Sequence, residues 1–259
     1  MLDARAGEGG GLAERPGGCG GGERAKRPVL MIMHQQHSNP GHVGQWFVRN
    51  GHALDIRKPR FGEPLPATLE HHCGAVVFGG PMSANDKDAF IAAETQWIGV
   101  ALKEKRPFLG IFLGAQMLTN HLGGRVGFHR DEVVEAGYYP LVTTRDAGLC
   151  GPFPRHVYQW HKEGCELWRG ARLLATSQGA FPNQAFACGA AIGLQFHPEI
   201  TCAQIHRWTG RNLRRLDMNG ARPQQEHFAG HIAHGREVRA WLERFLASWA
   251  RSELMFQLN

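Results

Sequence analysis

Short apolar runs alternate with amphipathic stretches along the first half of the chain. The runs that predict buried strands are Pro28–Met33, Ala53–Ile56, Ala75–Phe78 and Pro107–Ile111. The stretches that predict helices are Gly41–Asn50, Asp88–Lys105 and Leu113–Leu122, with one further helical turn at Thr68–His72. Strands that alternate with helices in this way form a parallel sheet whose faces the helices cover. The pattern therefore predicts an α/β fold with an open, mostly parallel sheet flanked by helices.

The second half of the chain has a different pattern, in which short β-rich runs follow one another with turns between them. These runs are Val126–Thr144, Val157–Trp160, Leu173–Ser177 and Gln184–Phe196. They predict a small antiparallel extension of the same domain, with Gly193–Phe196 returning to the main sheet. Thr201 is predicted to cap a helix that reaches Trp208, whereas Arg211–Glu226 has no defined pattern. An apolar stripe predicts a last helix at Glu237–Ser252.

Length and composition favour one large domain. The chain has 259 residues, of which 42% are hydrophobic. Met1–Arg27 is rich in glycine and lacks apolar periodicity, so we expect a disordered leader there and one domain over 28–259. No apolar run is long enough to span a bilayer, and the first residues lack the apolar region of a secretory signal. The six cysteines contain no CxxC pair, which favours a reducing, cytoplasmic setting over a zinc site or a disulfide framework.

Positive charge is concentrated towards the C-terminus. The net charge is +6, and the segment from Thr201 onward holds nine arginines and five acidic residues. No nucleic-acid-binding motif accompanies this charge, so a solvated helical face is favoured over a nucleic-acid surface. A basic face could still meet an acidic protein partner. We therefore expect neither a nucleic acid nor a membrane among the partners.

The stretch Arg106–Gly124 joins a predicted strand to a predicted helix through Gly110-Ile111-Phe112-Leu113-Gly114. A glycine two residues either side of a central residue, between strand and helix, is typical of a nucleophile elbow. Such a turn presents its central side chain at the carboxyl end of the sheet and at the positive end of the helix dipole. Phe112 occupies the centre, and its ring carries no nucleophilic atom. The turn indicates an enzyme fold, but its central residue cannot perform the usual chemistry.

Two further stretches are predicted to reach the same edge of the sheet. Gly79-Gly80-Pro81-Met82 follows a strand, and its backbone N–H groups could form an oxyanion hole with the N–H of Leu113. His197-Pro198-Glu199 also follows a strand, so His197 could face the elbow with Glu199 orienting its ring. Taken singly, a Gly-Gly-Pro turn is usually a tight loop, and His-Pro-Glu is more often an ordinary strand end.

In combination, the motifs GIFLGAQ, FGGPMS and GLQFHPE resemble those of the class I, triad-type glutamine amidotransferases. The family carries a Gly-x-Cys-x-Gly elbow followed by Gln, an upstream Gly-Gly-Pro loop and a late His-Pro-Glu. The stretches YQWHKE at Tyr158–Glu163 and PNQAF at Pro182–Phe186 resemble its stand-alone members related to the glutaminase domain of GMP synthase. The resemblance runs from about Pro28 to Trp249. It implies a flavodoxin-like open α/β sheet with the site at the strand ends.

The resemblance also implies a role for each matching residue. In the family, a cysteine thiolate attacks the side-chain amide of glutamine, and the ammonia released leaves for a synthase partner. By this comparison His197 is the base and Glu199 orients it. A glutamine-like ligand and a separate synthase or other protein partner are expected, and no metal or cofactor. The residues that the resemblance assigns to the oxyanion loop and the glutamine site are Gly79, Gly80, Leu113, Gln116, Trp160 and His161.

Phe112 departs from the family pattern at the nucleophile position, where no thioester can form. Three interpretations follow from this departure. The protein is a pseudoenzyme with a binding or regulatory role, or an enzyme of altered chemistry that uses His197, Glu199 and the backbone hole. In the third interpretation it still transfers the glutamine amide with a nucleophile from elsewhere in the chain.

Other side chains could in principle replace the missing nucleophile. Cys202, Ser83 and Cys73 are the candidates, and each is more simply explained as a small buried or capping residue. The histidines outside the His-Pro-Glu motif, His71 and His72 among them, lack the setting of metal ligands and are expected on the surface.

Overall fold

A computed structural model describes residues 26–254 of the chain. The strands are β1 (Lys26–Ile32), β2 (His52–Arg57), β3 (Ala75–Val77), β4 (Phe108–Ile111), β5 (Arg125–Phe128), β6 (Glu135–Pro140), β7 (Val142–Thr143), β8 (His156–His161), β9 (Glu163–Glu166), β10 (Arg172–Thr176), β11 (Asn183–Cys188) and β12 (Ala191–Leu194). The α-helices are α1 (Gly41–Arg49), α2 (Ala89–Lys103), α3 (Leu113–His121), α4 (Cys202–Arg211), α5 (Leu213–Leu216) and α6 (Gln224–Ala250). Short 3-10 turns lie at Pro59–Phe61 and Arg145–Cys150.

Within these residues an eight-stranded sheet has the order β2-β1-β3-β4-β12-β11-β10-β7. Strands β2, β1, β3, β4 and β12 run parallel, and β11, β10 and β7 continue the sheet in antiparallel pairing. Gly193 pairs with Gly110 and Leu194 with Ile111, so the chain returns to the main sheet beside the strand that precedes Phe112. The predicted α/β fold with a mostly parallel sheet is confirmed.

Helices cover both faces of the sheet because alternate residues of each strand point to opposite sides. Val29 and Met31 of β1 face the core that α1 and α6 cover, whereas Leu30 and Ile32 face the core under α2 and α3. The central strands β4 and β12 lie between the two layers and are buried throughout, as parallel strands usually are. The predicted apolar stripe of the last helix is buried, and its members are Val238, Trp241, Leu242, Phe245, Leu246 and Trp249.

The predicted antiparallel extension is divided between the main sheet and two separate strand pairs. Strands β10 and β11 extend the main sheet, whereas β5 pairs with β9 and β6 pairs with β8. In the second pair, Trp160 lies opposite Ala136 and His161 lies opposite Glu135. The pairs β5–β9 and β6–β8 thus bring the YQWHKE stretch towards the carboxyl edge of the parallel strands.

The C-terminal helix is longer than the periodicity predicts. Helix α6 begins at Gln224 rather than Glu237, and α5 lies in the segment to which no structure was assigned. The first half of α6 escapes prediction because His227 is its one buried residue before Val238. Buried polar groups need hydrogen-bond partners, and both ring nitrogens of His227 have one. Its Nδ1 accepts from the Tyr158 hydroxyl at 2.9 Å, and its Nε2 donates to the Arg222 carbonyl at 3.0 Å.

Other local expectations have mixed outcomes. The cap at Thr201 is confirmed as a capping box with Gln204, in which each side chain accepts from the other residue's backbone N–H. Thr68–His72 forms turns instead of the expected helical turn. The expected surface position of His72 is wrong, since it is 7% exposed and bonds the Asp55 carboxylate at 3.0 Å.

The predicted leader, 1–27, lies outside the described residues apart from its last two. Lys26 and Arg27 form the start of β1, so the strand begins before the predicted domain boundary. No helix between residues 26 and 254 combines the length and the hydropathy needed to cross a bilayer.

Acidic pH is expected to destabilise the fold through His227. Burial lowers the pKa of His227 below its ordinary 6.5, and the hydrogen bond to the Arg222 carbonyl offsets only part of this effect. Below about pH 6.5 the unfolded chain therefore binds a proton that the folded chain resists. The stabilisation is present above this pH and is lost as the pH falls through the folded pKa. We expect the free energy of unfolding, measured by urea denaturation, to fall between about pH 7 and about pH 5.

The variant His227→Gln is expected to have a shallower pH dependence than the wild type, whereas His71→Gln, at an exposed position, should keep the full slope. Some slope should remain in His227→Gln, because burial also lowers the pKa of His42, His231 and His234. An unchanged slope in His227→Gln would contradict the assignment.

Candidate functional site

A cavity of about 550 Å³ lies at the carboxyl ends of the parallel strands. The loops that follow β1 and β3 form one side of it, at positions 33–39 and 78–82. Phe112 lines it between β4 and α3, and the segment after β12 contributes His197 and Glu199. Helices α4 and α5, with Trp160, close the opposite side. Open α/β sheets place their ligand sites at this edge.

The turn around Phe112 has the build of a nucleophile elbow. Phe112 has φ 49° and ψ −99°, a backbone conformation that side-chain-bearing residues rarely adopt. Its N–H donates to the Leu194 carbonyl at 2.7 Å, and its own carbonyl accepts from the Gln116 N–H at 2.9 Å. A Cβ at Gly114 would lie 2.2 Å from the Val77 carbonyl oxygen, and one at Gly110 would lie 2.5 Å from the Gly114 backbone. The two glycines are therefore needed for the turn to pack against the sheet.

His197 and Glu199 form a buried hydrogen-bonded pair beside the elbow. The His197 Nδ1 lies 2.7 Å from the Glu199 Oε1, and the backbone N–H of His197 donates to the Tyr158 carbonyl at 2.9 Å. The edge of the ring meets Trp208, with 4.9 Å between centroids. Among the described residues the Nε2 of His197 has no hydrogen-bond partner. Its ring lies 5.3 Å from that of Phe112, so the side chain expected to act as a base faces an aromatic ring.

Phe112 forms the floor of the cavity between two histidines. Its ring stacks on that of His161, with 6.3 Å between the ring centroids. His161 and Gln116 are fully buried and do not line the cavity. Within residues 26–254, Gln116 Oε1 and His161 Nδ1 have no hydrogen-bond partner. Polar atoms left in this way are unusual in a folded protein.

The structure brings most of the predicted site residues together. Gly79, Gly80, Phe112, Trp160, His197 and Glu199 line the cavity. Leu113, Gln116 and His161 lie beneath it and are fully buried. Gln116 donates from Nε2 to the Glu163 carbonyl at 3.1 Å, and the Nε2 of His161 lies 3.2 Å from the Glu135 Oε2.

Sequence reasoning missed the residues that support the Gly-Gly-Pro loop. His34, directly after β1, has its Nδ1 3.3 Å from the Gly79 carbonyl and its Nε2 2.7 Å from the Glu94 Oε2. Both side chains are buried, so the expectation that the other histidines lie on the surface is also wrong for His34. The position of His34 at a strand end was a usable signal. Its partner Glu94 on α2 was not, because only the folded chain brings the two together.

None of the three alternative nucleophiles lines the cavity. Cys202 is exposed on α4, and Ser83 donates its hydroxyl hydrogen to the Glu163 Oε1 at 2.8 Å. Burial raises the pKa of Cys73 to about 11, so its thiol stays protonated at neutral pH. Within residues 26–254, no group of three or more His, Cys, Asp or Glu side chains is arranged to hold a metal ion.

The outer wall of the cavity is basic. Lys162 and three arginines of the α4–α5 segment, Arg207, Arg211 and Arg215, line it. Arg215 lies over the Trp160 ring, 5.7 Å from its centroid, and donates from Nη1 to the Trp160 carbonyl at 3.2 Å. Burial lowers the pKa of Arg215, and the Glu163 carboxylate offsets part of this effect.

Comparison with known proteins identifies the family. Residues 47–209 match the family described as glutamine amidotransferase class-I. The chain is 29% identical over 225 residues to YfeJ of Salmonella typhimurium, described as glutamine amidotransferase-like, covering 82% of this chain and 90% of YfeJ. A glutamine amidotransferase of Thermotoga maritima has a similar crystal structure, with a TM-score of 0.77, 30% identity and coverage of 86% of this chain and 97% of that one. The chain therefore belongs to the class-I glutamine amidotransferase family.

Two further relatives agree with this assignment. The chain is 35% identical over 155 residues to the glutamine-hydrolysing GMP synthase of Thermomicrobium roseum, covering 58% of this chain but only 27% of that protein. A glutamine amidotransferase structure from Methylobacillus flagellatus shares the fold, with a TM-score of 0.79 at 23% identity, covering 90% of this chain and 97% of that one.

Gly114→Ala is expected to destabilise the protein, although alanine is the better helix former. The added Cβ would lie 2.2 Å from the Val77 carbonyl oxygen, so the elbow must shift away from β3. Such overpacking costs roughly 1–3 kcal/mol, more than the gain in helix propensity. Gly127→Ala is the matched control, because nothing lies within 4 Å of its added Cβ. In urea denaturation the free energy of unfolding should fall clearly for Gly114→Ala and not for Gly127→Ala. Equal stability of the two variants would contradict this account of the turn.

Proposed function

We propose that the protein is a class-I glutamine amidotransferase-like pseudoenzyme, a binding or regulatory protein that does not hydrolyse glutamine by the family mechanism. The observation that carries the proposal is Phe112 at the centre of the elbow, where the family has its nucleophilic cysteine. Loss of a triad nucleophile costs on the order of a millionfold in rate, because the remaining groups supply only binding and oxyanion stabilisation.

The ring of Phe112 also obstructs the place where a glutamine amide would react. It stacks on His161, and both His161 and Gln116, two residues expected to line the glutamine site, are fully buried. A glutamine side chain would have to displace the ring to reach them. Phe112 therefore hinders the binding of glutamine as well as nucleophilic attack on its amide. This supports a role other than glutamine hydrolysis.

The cysteines of the described region offer no replacement for the nucleophile. Burial raises the pKa of Cys150 and of Cys165 to about 12 and also raises that of Cys188. At neutral pH these thiols are protonated, and a thiolate is the reactive form. Cys202 is exposed but lies outside the cavity lining. The interpretation that another residue of this part of the chain supplies the nucleophile is therefore disfavoured.

One observation favours a second candidate function. The His197–Glu199 pair keeps a short hydrogen bond, and the Nε2 of His197 has no protein partner between residues 26 and 254. An imidazole held in this way could activate a water molecule against an amide or ester. The backbone N–H groups of Gly80 and Leu113 would then stabilise the oxyanion. This second candidate is a non-covalent hydrolase on a substrate other than glutamine.

A protein partner fits either candidate. The GMP synthase relative joins a region similar to this chain to further sequence, since the match covers only 27% of it. By analogy, a separate synthase or other protein could dock near the cavity mouth. All five cysteines of the described region are free, which supports a reducing, cytoplasmic setting.

Restoring the thiol tests the proposal. Wild-type protein is expected to release no ammonia from glutamine above background, whereas Phe112→Cys should recover glutaminase activity if the pocket is otherwise intact. Phe112→Cys combined with His197→Ala serves as the control and should be inactive. Wild-type hydrolysis that depends on His197 would refute the proposal. Failure of a correctly folded Phe112→Cys variant would show that the site has diverged beyond this residue.

Thiol labelling tests the idea of a displaced nucleophile. A chloroketone analogue of glutamine is expected to label no described cysteine faster than simple alkylation by iodoacetamide does. Cys202 should react with both reagents because it is exposed. Mass spectrometry of tryptic peptides identifies the labelled residue. Rapid labelling of one cysteine that excess glutamine prevents would instead indicate that this cysteine occupies a glutamine site.

A further inference from the structure

The outer half of the cavity has a charge pattern that glutamine binding does not explain. Four cations line it, Lys162, Arg207, Arg211 and Arg215, against two carboxylates. Both carboxylates already have partners, since Glu163 accepts from the Ser83 hydroxyl and Glu199 is bonded to His197. Glutamine carries no net charge at neutral pH, so a wall with this excess of cations favours a different ligand.

The arginines lie on one side of the α4–α5 segment. Arg207 and Arg211 are four residues apart on α4, where side chains project from the same face of a helix. Like charges at this spacing repel one another. Arg215 follows in α5, again four positions on, and reaches the same cavity. An anion among the three would convert repulsion into attraction.

The four cations form no ion pair with a carboxylate of the described residues. Among residues 26–254 none of them has a carboxylate within 4.0 Å, whereas other arginines do, such as Arg49 with Glu243. Arg215 is the most constrained, because its guanidinium lies over Trp160 and donates to that residue's carbonyl. Arg215 is half-buried, and burial lowers its pKa although the nearby Glu163 carboxylate offsets part of this effect. Several guanidinium donors remain for a ligand.

We propose that this basic wall binds a small molecule with at least two negative charges, carried by phosphate or carboxylate groups. Arg207, Arg211 and Arg215 bind the charged groups, and Lys162 adds a further cation. Guanidinium groups suit this ligand because their planar donors match phosphate and carboxylate oxygens in pairs. The cavity volume of about 550 Å³ is that of a typical small-molecule site.

Phe112 determines which part of the cavity the ligand uses. Its ring lines the cavity and stacks on His161, which is fully buried and outside the lining, so the ligand is confined to the part that the arginines line. This inference rests on the proposed function, since it treats the cavity as a binding site rather than a glutaminase site.

Isothermal titration calorimetry at low ionic strength tests the proposal, with pyrophosphate and citrate as probes and glutamine, which has no net charge, as the comparison. We expect at least one of the two anions to bind and glutamine not to bind. Binding of pyrophosphate alone identifies a phosphate ligand, and binding of citrate alone identifies a polycarboxylate. Added salt should weaken the binding, because the interaction is between charges.

A pair of double variants separates a site from general charge attraction. Arg207→Gln with Arg211→Gln is expected to weaken anion binding on the order of tenfold or more, since each removes a charge-assisted contact. Arg214→Gln with Arg236→Gln removes the same charge at exposed positions outside the cavity and should leave the affinity within about twofold of wild type.

Absence of binding by both anions, or an equal loss in the two double variants, would overturn the proposal. Its outcome is independent of the glutaminase assay. A wild-type protein that hydrolysed glutamine would refute the pseudoenzyme proposal while leaving the anion titration as a separate result.

Discussion

The structure of the site depends on one close backbone approach, between the strand-to-helix turn at Phe112 and the strands on either side of it. On one side the Phe112 N–H donates to Leu194 of β12, and on the other Gly114 packs against the Val77 carbonyl of β3. These contacts hold the residue at φ 49°. Strands β3, β4 and β12 are parallel neighbours, so their carboxyl ends lie side by side. The Gly-Gly-Pro loop after β3 and the His-Pro-Glu segment after β12 therefore reach the turn that follows β4. The order of the strands in the sheet therefore determines which residues meet at the site.

The fold and the location of the site could be predicted from the sequence because both depend on short-range patterns. Apolar runs define the parallel strands, and glycine spacing marks the elbow. The predictions that failed concern residues whose burial depends on contacts between segments distant in the sequence. The burial of His34 depends on Glu94, and that of His227 depends on Tyr158, so neither is visible in local periodicity. The same reason explains the missed first half of α6.

The residues of the candidate site form two groups. One group lines the cavity, and the other is fully buried beside the ring of Phe112. The sequence motifs identified both groups together, because a motif records residue type and order but not which atoms reach a cavity. His197 and Glu199 remain at its edge with their hydrogen bond intact. Gln116 and His161 are fully buried, and the ring of Phe112 stacks on His161. The volume of the side chain at position 112 can therefore separate such a site into a closed inner part and an open outer part.

The positive φ at Phe112 has an evolutionary consequence. Phenylalanine and cysteine codons differ by a single base, so a cysteine at position 112 is one point mutation away in the gene. The unusual backbone conformation is set by Gly110, Gly114 and the neighbouring strands rather than by the side chain at the centre. A cysteine that arose there would be held in the same turn beside His197. The scaffold thus leaves a short genetic path to a thiol at the centre of the turn for as long as those glycines remain.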